Sequence, residues 1–175
     1  MRMKSLFLSL VAVLALAPLS WAADVTVTIS KVHLCCDKCV TAADKVVASV
    51  PGAAAVVDKT ARTIAITAAD AATVQKAADA LVKAGFYGES SDASVKMSAD
   101  TCCKGENVRT LKVQGVHLCC PKCVKAVHET VAAVPGVTGD TAAKGVESFE
   151  VTGDFKDSDV FTALQKAGFS GKAGQ

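Results

Sequence analysis

Apolar and polar residues alternate from Val25 to Ile29, with Val25, Val27 and Ile29 set against Thr26 and Thr28. That is the period of a strand with one buried face. The period then changes, because Val40, Ala43, Val47 and Val50 recur at helical spacing and the run stops at Pro51-Gly52. Two short strands are predicted over 54–58 and 63–67, the second alternating through Ile64 and Ile66, with a hairpin between them. A second helix is predicted over 71–84, with Val74, Ala77, Ala78 and Leu81 facing inward and Gly85 as its stop. The succession then returns: Val124, Val127, Val131 and Val134 form a helical stripe, Phe149 and Val151 a strand, and Val160, Phe161 and Leu164 a last helix over 157–167.

The repetition extends to the letters themselves. VHLCCDKCV, from Val32 to Val40, reappears as VHLCCPKCV from Val116 to Val124. Val50-Pro51-Gly52 reappears as Val134-Pro135-Gly136, and Lys83-Ala84-Gly85-Phe86 as Lys166-Ala167-Gly168-Phe169. The chain therefore reads as a tandem duplication. Each unit has the order βαββα, with a short final strand after the Gly-Phe pair. The predicted fold class is α+β: two tandem ferredoxin-like sandwiches, each an antiparallel sheet with two helices on one face. The predicted boundaries are 24–90 for the first domain, 91–106 for a polar, aperiodic linker carrying Cys102 and Cys103, and 107–175 for the second domain.

Residues 1–22 carry Arg2 and Lys4, an apolar stretch from Leu6 to Ala17 and the small-x-small end Ser20-Trp21-Ala22, the pattern of a signal peptide. The expected location is secreted or periplasmic, with no stable membrane insertion once the signal is removed. Its removal takes two basic residues and leaves 17 Lys and Arg against 17 Asp and Glu. This balance argues against nucleic acid as a partner.

Eight cysteines in an exported chain would ordinarily suggest a disulfide framework. Here they fall in tight clusters, Cys35-Cys36-Cys39, Cys102-Cys103 and Cys119-Cys120-Cys123, a distribution that favours metal ligation or redox chemistry. In each CxxC pair, Cys36/Cys39 and Cys120/Cys123, one turn of chain directs both sulfurs to the same point. The start of a helix there favours thiolate. Lys38 and Lys122 lie inside the pairs; they either add positive potential at the thiols or are simply solvated.

A strand, a CxxC loop and a helix, with Leu34 or Leu118 two residues before the pair and Gly-Phe downstream, resemble the heavy-metal-associated domain of copper chaperones, mercury-binding proteins and the N-terminal modules of metal-transporting ATPases. The resemblance implies that Cys36, Cys39, Cys120 and Cys123 bind the metal, with the leucines packed under the loop. Cu(I) is the expected ion, with Zn(II), Cd(II) or Hg(II) as alternatives. The sequence departs from the family at Cys35 and Cys119, where Ser or Thr is common, and at His33 and His117, where Gly is common. A third thiol and a nearby imidazole would suit a tetrahedral Zn(II) or Cd(II) site. Adjacent side chains in an extended loop tend to point apart, which argues against Cys35 and Cys119, but both are counted with Cys36, Cys39, Cys120 and Cys123 as expected metal ligands. His33 and His117 either ligate or hold the loop by hydrogen bonds. His128 has no counterpart in the first unit and reads as a surface residue; Phe86 and Phe169 read as core aromatics.

The expected function is capture of a soft or borderline metal ion for sequestration or for transfer to a metal-transporting membrane protein or a second metal-binding domain. Each loop is expected to act as a site of its own. The competing reading is a thiol-disulfide oxidoreductase using the CxxC pairs; a longer parallel-sheet pattern and an aromatic residue before the pair, both usual there, are missing. A purely disulfide-bonded structural protein fits the repeated pairs least. No Ser/His/Asp arrangement, carboxylate pair or phosphate loop stands out, so catalysis is not expected.

Overall fold

The alternation in the first strand is realised as β1 (Val25–Ser30), whose Val27 and Ile29 are buried while Thr26 is exposed. The computed structural model describes residues 24–174, so the predicted signal peptide lies outside the described residues. After β1 come α1 (Asp37–Ala48), β2 (Ala53–Asp58), β3 (Thr63–Ala68), α2 (Ala71–Lys83) and β4 (Glu89–Ser90). The second unit repeats the order as β5 (Asn107–Gln114), α3 (Pro121–Ala132), β6 (Val137–Asp140), β7 (Ser148–Lys156), α4 (Asp157–Lys166) and β8 (Lys172–Ala173).

Each unit has one antiparallel four-stranded sheet, in the orders β2-β3-β1-β4 and β6-β7-β5-β8. The fold is therefore the predicted pair of α+β sandwiches. In the first, Ile64 and Ile66 of β3 join Val27 and Ile29 against Ala43 and Val47 of α1 and Val74, Ala77, Ala78 and Leu81 of α2, all buried. In the second, Val113, Phe149 and Val151 meet Val127 and Val131 of α3 and Val160, Phe161 and Leu164 of α4. Burying such side chains contributes about 1.5–3 kcal/mol each before conformational entropy is subtracted.

One detail of the helical stripe differs from expectation. The innermost row of α1 is Cys39, Ala43 and Val47, and Val40 is only half-buried. Cys36 is the N-cap, which rotates the second cysteine of the pair into the core as a small apolar residue. Cys120 and Cys123 occupy the same places at the start of α3. At the other end of each unit, Gly85 and Gly168 follow α2 and α4 with φ of 89° each, a left-handed stop that favours glycine.

The segment between the units contains no helix and is packed. Val95 and Met97 are buried, and the Gln75 side chain of α2 accepts from the Lys96 backbone N–H and donates to its carbonyl. Farther on, Ala173 N–H donates to the Thr101 carbonyl, and Lys104 N–H to the buried Asp157 carboxylate. The segment thus straps one unit to the other. Among the described residues, no helix is long and apolar enough to cross a membrane.

Candidate metal centre

The two loops meet. A seam between the units is built from the duplicated Gly-Phe segments: Phe86 and Phe169 form an antiparallel bridge, Tyr87 N–H donates to the Gly168 carbonyl at 3.2 Å and Ser170 N–H to the Gly85 carbonyl at 2.9 Å. His33 N–H adds a bond to the Gly168 carbonyl at 3.3 Å. The approach is so close that a Cβ on Gly85 would lie 2.4 Å from the His117 nitrogen, and one on Gly168 2.4 Å from the His33 nitrogen.

This seam brings six thiols together. Across the loops, Cys35 Sγ is 3.3 Å from Cys120 and 3.4 Å from Cys123, Cys39 is 3.5 Å from Cys119 and 3.8 Å from Cys123, and Cys36 is 3.8 Å from Cys120 and 4.0 Å from Cys119. Within the loops, Cys36–Cys39 is 3.7 Å, Cys120–Cys123 3.6 Å, Cys35–Cys39 3.7 Å and Cys119–Cys123 3.8 Å. All are free thiols, far beyond the disulfide bond length of about 2.05 Å. Cys35 and Cys119 do not turn away; each reaches into the opposite loop. The extended-chain reasoning overlooked that a facing loop gives both neighbours of a Cys-Cys pair something to point at. The loops do not form two separate sites.

The support beneath them is apolar. Val32, Leu34, Val116 and Leu118 are buried under the loops, as expected for the leucines. Arg62 braces the first loop: its Nε donates to the Val32 carbonyl at 3.2 Å and its own carbonyl accepts from Val32 N–H at 3.1 Å. Lys31, with φ of 61°, makes the turn into that loop.

The histidines cross the seam as well. His33 stacks on Phe169 with ring centroids 4.2 Å apart, and His117 packs on Phe86 at 4.5 Å. Both Nε2 atoms are buried without a hydrogen-bond partner. A ligand atom of His33 lies within 4.8 Å of the Cys35 and Cys123 sulfurs. Burial lowers the pKa of His33 and holds its ring neutral, the state a metal ligand requires.

The thiols tune one another. Burial raises the Cys120 pKa, but hydrogen bonds from the Cys123 backbone, the Cys35 and Cys123 thiols and the Lys122 backbone outweigh it and bring it down to about 6. Lys122 acts through its amide, since its side chain and that of Lys38 are exposed. Burial pushes Cys35 up to about 12 and raises Cys119 as well. Cys39 and Cys123 titrate as a pair: the hydrogen bond between them favours a first thiolate and opposes a second. Bound cations would displace the remaining protons.

Cys102 and Cys103 stand apart from this cluster. Cys103 Sγ is 2.9 Å from Thr101 Oγ1, and Cys102 is exposed beside Asp100. His128, read as a surface residue, is half-exposed and pairs with Asp140 of β6. Sequence reasoning missed the seam, although the repeated Gly-Phe was its visible trace; the buried rings serve the core and the docking surface together.

Each unit carries its cysteine loop between its first strand and its first helix, the arrangement on which the resemblance to heavy-metal-associated domains rests. Among solved structures, the chain is similar to a copper binding domain from HMA7, a P-type ATPase, at 22% identity over 39% of this chain and 96% of that one, with a TM-score of 0.37. It is also similar to the N-terminal soluble domains of Bacillus subtilis CopA, at 16% identity over 87% of this chain and 95% of that one, with a TM-score of 0.31. No family model matches the chain, and neither does any curated protein.

Proposed function

We propose that this chain is an exported heavy-metal-binding protein that captures soft metal ions, Cu(I) first, in one thiolate centre shared by its two domains. The observation that carries the reading is the convergence of Cys35, Cys36, Cys39, Cys119, Cys120 and Cys123, with the buried, unpartnered Nε2 atoms of His33 and His117 in the same loops. Thiolate sulfur selects thiophilic ions over hard ones. The role is sequestration or hand-over to a metal transporter by ligand exchange, and export rests on the N-terminal sequence pattern.

The test is anaerobic titration of the reduced chain with Cu(I), Zn(II) and Cd(II), read by native mass and X-ray absorption. Tight binding with sulfur ligands, strongest for Cu(I), is expected. No tight binding, together with rapid thiol-disulfide exchange, would replace this reading with the oxidoreductase one.

A further inference from the structure

We infer that the shared centre is built for a cluster of four monovalent soft metal ions, each held by three sulfurs, rather than for one or two isolated ions. The inference rests on the metal-binding reading and adds its stoichiometry and coordination.

The sulfur positions carry it. Six points have fifteen pairs, and ten of these are the contacts of 3.3–4.0 Å given above. Two more, Cys35–Cys36 and Cys119–Cys120, fall inside triads whose sulfurs lie within 4.8 Å of one another. Together they are the twelve edges of an octahedron. The remaining pairs, Cys35–Cys119, Cys36–Cys123 and Cys39–Cys120, use each sulfur once, as opposite vertices must.

An octahedron of sulfurs has four alternate triangular faces, and each vertex belongs to two of them. Here one such set is Cys35-Cys36-Cys120, Cys36-Cys39-Cys119, Cys119-Cys120-Cys123 and Cys35-Cys39-Cys123; the first three are compact triads and the fourth has edges of 3.7, 3.4 and 3.8 Å. An ion centred in a triangle of such edges sits about 2.1 Å from each sulfur, close to the bond of about 2.3 Å that thiolate makes to a first-row ion. With one ion per alternate face, every sulfur bridges two ions.

The same geometry disfavours a regular tetrahedral ion bound by sulfur alone. Any four vertices of an octahedron include an opposite pair, which at these edges is roughly 5 Å apart, against about 3.8 Å between sulfurs around tetrahedral zinc. Four monovalent cations and six thiolates leave two negative charges. The amino ends of α1 and α3, capped by Cys36 and Cys120, each supply about half a positive charge at that place. Loading displaces a proton from each thiol that still holds one.

The experiment is a Cu(I) titration of the full reduced chain under anaerobic conditions, followed by native mass and X-ray absorption, beside the double variant Cys35→Ser, Cys119→Ser. Those two sulfurs are opposite vertices, and each of the four faces contains one of them. The expected result is accumulation of a four-ion species with three sulfurs per ion and metal–metal scattering, lost in the variant, which holds two ions at most. Saturation of the unaltered chain at two ions with two sulfurs each and no metal–metal scattering would overturn the cluster while leaving metal binding intact. Absence of Cu(I) binding would overturn both.

Discussion

Replacing Gly168 with Ala should separate the two domains without unfolding either one. The residue has φ of 89°, which costs a non-glycine residue about 1–2 kcal/mol. Its new Cβ would lie 2.4 Å from the His33 nitrogen and 2.6 Å from the Lys31 carbonyl oxygen, both backbone atoms of the other domain that no rotamer change can move. Relief comes by opening the seam, whose three backbone hydrogen bonds are together worth roughly 2–4 kcal/mol. Gly52→Ala is the control: its φ of 82° imposes a similar backbone cost, but its nearest neighbour is a Thr73 methyl at 3.9 Å. Small-angle scattering should show the reduced Gly168→Ala chain expanded and the Gly52→Ala chain unchanged. Urea unfolding should show a similar modest loss for both domain cores. Equal compactness of the two variants would refute the seam as described.

Three further outcomes follow from the same contacts. Cys36→Ser with Cys39→Ser should reduce bound Cu(I) by more than half, because the other loop loses sulfurs it shares; native mass showing a loss of one half would restore independent sites. Leu34→Ala, at a side chain 4% exposed beneath the loop, should cost about 2–5 kcal/mol in denaturant unfolding, and a cost well under 1 would remove Leu34 from the support of the site. Hydrogen bonds from the Thr73 backbone N–H and hydroxyl lower the Asp70 pKa at the start of α2, so this carboxylate stabilises the fold above the unfolded value of 3.8 and the contribution is lost as pH falls from there through the lower folded value. Asp70→Asn should therefore flatten the acid limb of the stability curve below pH 4, and an unchanged limb would contradict the cap's charge.

The elements and their order were legible because each unit is locally consistent: alternating β-branched residues in β1 and β3, helical stripes in α1 to α4, and Gly85 and Gly168 as stops. That the sulfurs of Cys36 and Cys39, and those of Cys120 and Cys123, come together was legible from the CxxC spacing. The orientation of Cys35 and Cys119 was not, because it is decided by the facing loop rather than by the chain around them. For the same reason the packing of Val95 and Met97 was hidden in a polar, aperiodic segment. Docking of two repeats leaves no period in a sequence; only the paired Gly-Phe, needed twice where two backbones nearly touch, pointed towards it.

The convergence of the loops is tested most directly without metal, in a chain retaining only Cys35 and Cys120, whose sulfurs lie 3.3 Å apart, with the other six cysteines replaced by Ser. Treated in dilute, reduced solution with a short bifunctional thiol reagent and mapped by peptide mass, the two residues should be joined within one chain at high yield. Single labels on each cysteine, or links only between chains, would contradict a centre shared by the two domains.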